Sequence, residues 1–207
     1  MYSSEDGQNS VIPGFDRRMT KEEINNFPIR KWDGPVHVIH SIEEMTGAVE
    51  KLSREQVLGF DTETRPAFKK GQKYQPSLLQ LAGENSVYLF QLKHLGLREP
   101  LISILADPNI IKAGVSLAHD LRELKKMAPF AQAGFVGLGK MSKEKGIQNH
   151  GLRGLAAVVL GLRISKSAQT TNWARDELTQ SQIRYAATDA WVGRELYLKL
   201  VQIRPER

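Results

Sequence analysis

The chain has no cysteine, which removes disulfides and thiolate metal sites and is compatible with a reducing compartment. No apolar run approaches the roughly 20 residues that a membrane span needs, so no membrane partner is expected. The N-terminus, MYSSEDGQNS, lacks the basic-then-apolar pattern of a signal peptide, and a soluble, intracellular and cytoplasmic protein is the expectation. Histidine is scarce, and the five present, His37, His40, His94, His119 and His150, show no zinc spacing. Any metal chemistry is therefore left to oxygen donors. Internal repeats and low-complexity tracts are also missing.

What remains is ordinary globular material: 207 residues, 41% hydrophobic and 25% charged, enough for one domain with a sizeable core. The net charge of +6 is unevenly spread, because residues 111–166 hold ten Lys or Arg against three Asp or Glu. Such a stretch suits a polyanionic partner, and it equally suits a solvated surface.

Residues 1–34 are polar and without sustained period, which predicts an N-terminal arm, partly flexible and packing at most locally, ahead of a domain over 35–207. VHVIH at 36–40 reads as a strand, and Ser41-Ile-Glu-Glu44 as a capping box opening a helix to about Leu52. Strands are predicted at 57–63, 77–82 and 86–91, the last two joined as an antiparallel hairpin through Gly-Glu-Asn. A helix near 98–106, a strand at 110–115 and a helix at 117–127 follow, the last with Leu117, Leu121, Leu124 and Ala128 on one face. The Gly- and Lys-rich segment 129–150 reads as loop. A short helix at 152–160 ended by Gly161, and a long one at 180–201 boxed by Thr179 and Gln182, complete the chain. Antiparallel pairing followed by strand–helix alternation implies an α/β domain: a mixed central β-sheet flanked by helices.

Four carboxylates and a tyrosine carry the chemistry. Asp61 and Glu63 in VLGFDTET lie two apart in a strand and share a face. Tyr185 and Asp189 in IRYAATDAW are one helical turn apart. Asp120 opens the helix after a strand, at a sheet edge where α/β proteins place their sites. Singly these have plain readings: a surface pair, a structural hydrogen bond, an aspartate favoured by the helix dipole. Jointly, on three elements able to converge beside apolar runs, such acids need cationic neutralisation. A pair of divalent ions is the simplest source, and phosphodiester cleavage the chemistry that follows.

These segments, GFDTET, SLLQLA, VYLF, AGVSLAHDLRELKK and GLRGLAAVVLGLRISKSAQTTNWARDELTQSQIRYAATDAW, resemble the ribonuclease D and Werner-type 3′–5′ exonucleases, the tyrosine subclass of the DEDD nucleases. The likeness runs from about Val36 to Leu200. It implies a ribonuclease H-like fold, two Mg²⁺ or Mn²⁺ ions, and release of nucleoside 5′-monophosphates from single-stranded 3′ ends. It further implies that Asp61 bridges both ions, that Glu63 and Asp189 complete the first site, and that Asp120 serves the second partly through water. Tyr185, a poor base at neutral pH because a phenol titrates at about 10, is expected to orient the metal-bound water, with uptake of its proton as a second option. Both DNA and RNA are candidate substrates. DNA is put slightly ahead, because ribonuclease D enzymes carry further helical domains after the nuclease part. A non-catalytic nucleic-acid-binding module of the same fold, and a phosphodiesterase for oligonucleotides or dinucleotides, are the alternative readings.

Five further residues are candidate substrate contacts: Thr62 and His119 beside the acids, and Lys69, Lys70 and Lys73 in the loop after the first motif. Trp173 could stack on a base but reads better as core. Gly134 to Met141 nearly spells a phosphate-binding loop, with Met141 where a Ser or Thr would be required.

Overall fold

The computed structural model describes residues 14–69 and 71–203. Its centre is a six-stranded sheet built from β1 (Val36–Ile39), β2 (Val57–Thr64), β3 (Pro76–Ala82), β4 (Val87–Gln91), β5 (Ile111–Gly114) and β6 (Phe135–Gly137). Their spatial order is β1-β4-β3-β2-β5-β6. β2, β3 and β4 form the antiparallel meander, while β1 joins β4, β5 joins β2 and β6 joins β5 in parallel. This is the mixed sheet expected from the sequence.

Period-two alternation fills both faces. Phe60, Leu79, Leu81 and Phe90 point to one side, where they pack with residues of α2 (Ile42–Leu52), α4 (Glu99–Ala106) and α5 (Leu117–Met127). Leu78, Ala82, Val87 and Leu89 point to the other, against Ala186, Ala187 and Ala190 of α8 (Gln180–Leu200). Burial on both faces makes β3 and β4 continuous apolar runs rather than alternating ones. Both predicted capping boxes are present, Ser41 with Glu44 and Thr179 with Gln182, and each contributes about 1 kcal/mol by satisfying helix-end amides.

One close approach sets the position of α8. A Cβ on Gly59 would meet the Ala190 carbonyl oxygen at 1.8 Å, and one on Gly193 the Ala113 carbonyl oxygen at 3.1 Å. Glycine and alanine at this crossing let the helix lie directly on β2. Asp189 is thereby carried to the strand that holds Asp61.

The segment 129–150, expected as loop, contains β6 and α6 (Leu138–Glu144). β6 is three residues long, too short to show a period, and tertiary contacts hold it. It pairs with β5, and the Phe135 ring meets Phe60 edge-on at 5.2 Å. The near phosphate-loop Gly134–Met141 is spent on these two elements.

The first 13 residues of the expected arm lie outside the described residues. The rest contain a helix α1 (Lys21–Asn25), capped by Thr20, and make contacts far along the chain. Arg30 N–H donates to the Arg163 carbonyl at 2.9 Å, Arg163 N–H to Pro28 at 3.0 Å and Trp32 N–H to the Thr188 hydroxyl at 3.0 Å. The polar composition gave no hint of these contacts because the backbone makes them. Among the described residues no helix is long and apolar enough to cross a membrane.

Candidate active site

β2 and β5 run parallel, so their carboxyl ends open at the same edge of the sheet. There the structure brings together Asp61, Glu63, Asp120, Tyr185 and Asp189, which line one cleft of about 470 Å³. Asp61 and Glu63 arrive from the α8 face of β2, and a β-bulge between Glu63 and Thr64 ends the regular pairing just past the pair. Tyr185 and Asp189 come from the buried side of α8, where they are 9% and 7% exposed. Asp120 comes from the opposite face, in the first turn of α5. Thr62, between the two acids of β2, points to that second face as its strand period requires.

The Thr62 hydroxyl donates to Asp120 Oδ1 at 2.7 Å. This bond ties α5 to β2 on that second face and fixes how Asp120 is turned. Thr62 lines the cleft, but its side chain is engaged by the acid and not held free for a substrate. His119 lies at the mouth, exposed, with Nδ1 at 2.9 Å from the Arg122 guanidinium. Lys69 and Lys73 are exposed in the loop after β2 and do not line the cleft, and Lys70 lies outside the described residues.

Burial first, and for Asp61 and Glu63 the neighbouring acids second, raise every carboxyl of the cleft. Burial, then the carboxylates of Asp189 and Asp120, hold the Asp61 carboxyl well above its ordinary range. Burial and the neighbouring acids push Glu63 up to about 9. Burial lifts Asp189 to about 7 against the opposing effect of the Tyr185 phenol. Asp120 is raised by burial too, but the Thr62 hydroxyl and His119 counteract it. The Tyr185 phenol is raised, first by burial and then by Asp189 and Glu63, so it is a neutral hydroxyl at any physiological pH.

These residues have the chemistry of a hard-cation site. All four ligand candidates are carboxylates, which suit Mg²⁺ or Mn²⁺. Asp189 Oδ1 is buried without a hydrogen-bond partner, a costly state that a cation relieves. Among the described residues no three acidic or imidazole groups are gathered tightly enough to hold an ion as they stand.

Several cleft residues were not singled out from sequence. Arg153, Lys166 and Gln169 line it; all three stand in the quoted C-terminal block that carries the family resemblance, but no role was assigned to them. Ser116, at the start of α5, is the one non-glycine with positive φ among the described residues (φ 60°) and also lines the cleft. Gln80 sits directly across from Asp61 in the β2–β3 register, fully buried with both amide atoms unpaired. A lone glutamine inside SLLQLA was the available signal.

The basic stretch 111–166 does not form one surface. Lys112 is fully buried; its ammonium donates to the Asp107 carbonyl at 2.6 Å and lies 5.2 Å from the Phe135 ring centroid. The Arg163 guanidinium donates to Phe27, and Lys145 to Ile203. Trp173 is core, 1% exposed and 5.9 Å from the Tyr185 ring.

The pattern common to the family described as 3′–5′ exonuclease matches residues 36–203. The mouse bifunctional 3′–5′ exonuclease/ATP-dependent helicase WRN is 31% identical over 186 residues, covering 85% of this chain and 13% of that protein. Ribonuclease D of Gluconacetobacter diazotrophicus is 29% identical over 169 residues, covering 80% of this chain and 42% of that enzyme. The chain thus spans less than half the length of these two curated relatives. In structure, the EXO domain of Aedes aegypti Nibbler superposes with a TM-score of 0.74 at 23% identity, covering 86% of this chain and 95% of that domain. With its mixed sheet, its flanking helices and a match over nearly all the described residues, the chain belongs to the 3′–5′ exonuclease family and has the ribonuclease H-like fold of its structural neighbours.

Proposed function

We propose that the protein is a divalent-metal-dependent 3′–5′ exonuclease acting on single-stranded 3′ ends of DNA or RNA and releasing nucleoside 5′-monophosphates. The observation that carries this reading is the convergence of four carboxylates from three elements, with Tyr185, on one cleft in a chain of this family. Asp61, Glu63, Asp120 and Asp189 would hold two hard cations, which when bound supply charge stabilisation at the phosphate and a more acidic water.

The chain's own groups account for the rest. The Thr62 hydroxyl keeps Asp120 turned into the cleft. Tyr185, held neutral by burial and the acids beside it, orients the attacking water by hydrogen bonding. Arg153 and Lys166, on the cleft wall, face the phosphodiester and offset part of the local negative charge. Water adds to phosphorus and gives up one proton, the bond to the 3′ oxygen breaks, and that oxygen takes up one proton as it leaves, so the step is balanced.

The test is digestion of a 5′-labelled oligonucleotide in the presence of Mn²⁺. A ladder of shortened products is the expected outcome, and an unchanged but retarded band would replace the enzyme with a binding module. Running single-stranded DNA, overhanging duplex DNA and RNA side by side ranks the substrates.

A further inference from the structure

A second pocket of about 300 Å³ adjoins the cleft and shares Ser165, Tyr185 and Asp189 with it. Its other wall is basic: Arg30 and Lys31 from the N-terminal segment, and Arg184 from the first turns of α8. All three side chains are exposed, and none takes part in a salt bridge among the described residues. The backbone that carries Arg30 and Lys31 is held against the fold, and Arg184 projects from α8 beside it. The Arg30–Arg163 and Pro28–Arg163 hydrogen bonds and the Trp32–Thr188 bond clamp residues 28–32, and Thr188 is the neighbour of Asp189. Residues 29–31 also precede the segment that matches the family pattern, which begins at residue 36.

We infer that this pocket is a subsite for the internucleotide phosphates on the 5′ side of the scissile bond, with the N-terminal segment supplying its cations. The inference rests on the exonuclease reading above. An acidic cleft repels a polyanionic strand until its charge is neutralised, and unpaired cations beside it counter that repulsion. The chemistry of the cut then selects the occupant. The nucleotide that leaves carries one phosphate, the scissile one, and that phosphate is held at the carboxylates. A further phosphate next to them therefore belongs to the strand on the 5′ side. Three unpaired cations also exceed what one phosphodiester requires, whereas a continuing strand presents several.

The experiment compares a dinucleoside monophosphate, whose only phosphate is the scissile one, with a hexanucleotide lacking a terminal phosphate. Arg30→Ala/Lys31→Ala in the full chain, and separately Arg184→Ala, are assayed on both in Mn²⁺, with melting temperature as the folding control. For the hexanucleotide, KM rises about tenfold at unchanged kcat, and the salt dependence of kcat/KM becomes shallower by about one unit per cation removed. The dinucleoside monophosphate is cleaved as before. An unchanged hexanucleotide KM overturns the subsite, and so does an equal loss on both substrates. A change in inhibition by added nucleoside 5′-monophosphate would assign the pocket to product and likewise overturn it. Should the wild-type protein shorten neither substrate, the exonuclease reading itself fails. Fluorescence anisotropy with the labelled hexanucleotide then decides the pocket alone: weaker binding by the double variant supports it, and equal binding removes it.

Discussion

The two faces of β2 deliver acid to the same cleft in different states. On the α8 face, Asp61, Glu63 and Asp189 are crowded and raised in pKa, and one oxygen of Asp189 is buried unpaired. On the α5 face, Asp120 is answered by a hydroxyl at 2.7 Å. The first group keeps a buried oxygen without a partner, whereas the second is already positioned by protein. In the proposed site all four acids would hold the cations, and the α5 face differs in that Thr62 already orients its acid.

Removing charge from the first face has the largest effect. Asp61→Asn and Asp189→Asn each lower turnover by more than about a hundredfold, while the metal-free variants melt at a higher temperature because a buried carboxyl that resists ionisation is removed. A variant that digests its substrate normally breaks the assignment. Next is the contact that brings the faces together. Gly59→Ala places a methyl group against the Ala190 carbonyl, costing about 3 kcal/mol and lowering Tm by roughly 10 °C. Loss of activity without loss of stability would show that α8 shifts and does not unfold.

The third outcome is a pH dependence with a definite sign. Glu63 and Asp189 titrate in the folded chain near 9 and 7, against about 4 when unfolded. The folded state thus holds more protons between these values, and its stability, fully present below about pH 4, is lost as pH rises through 7 and then 9. Lys112, pulled down to about 8 by burial, acts in the opposite direction. The readout is therefore the difference in Tm between wild type and Glu63→Gln/Asp189→Asn without metal: the wild type falls behind from pH 5 to pH 9, and parallel profiles would contradict the crowding. The smallest effect belongs to the second face. Thr62→Val removes about 1 kcal/mol of orientation from Asp120, a roughly fivefold slower reaction with Asp120 still present.

The same contrast explains what was legible in the sequence. The acids on β2 and α8 could be paired because strand and helix periods alone put Asp61 with Glu63 and Tyr185 with Asp189. Capping boxes at Ser41 and Thr179 and the run VLGFDTET likewise announce their elements locally. Gly59 was unreadable as the device that lets α8 descend, because its partner lies 131 residues away at Ala190. β6 escaped for a similar reason: three residues show no period, and only pairing with β5 defines the strand. The basic stretch misled because net charge does not say that Lys112 is buried. Arg30 and Lys31 passed as arm residues, since their place beside Asp189 depends on backbone bonds to Arg163 and Thr188.

Titration calorimetry with Mn²⁺ tests the centre of the account most directly. Wild-type protein should take up two ions at pH 8 and release protons as it does so, since its raised carboxyls must ionise to bind, and Asp61→Asn/Asp189→Asn should take up none. Absence of uptake by the wild type, or equal uptake by both proteins, would contradict the assignment of these four acids to a cation centre.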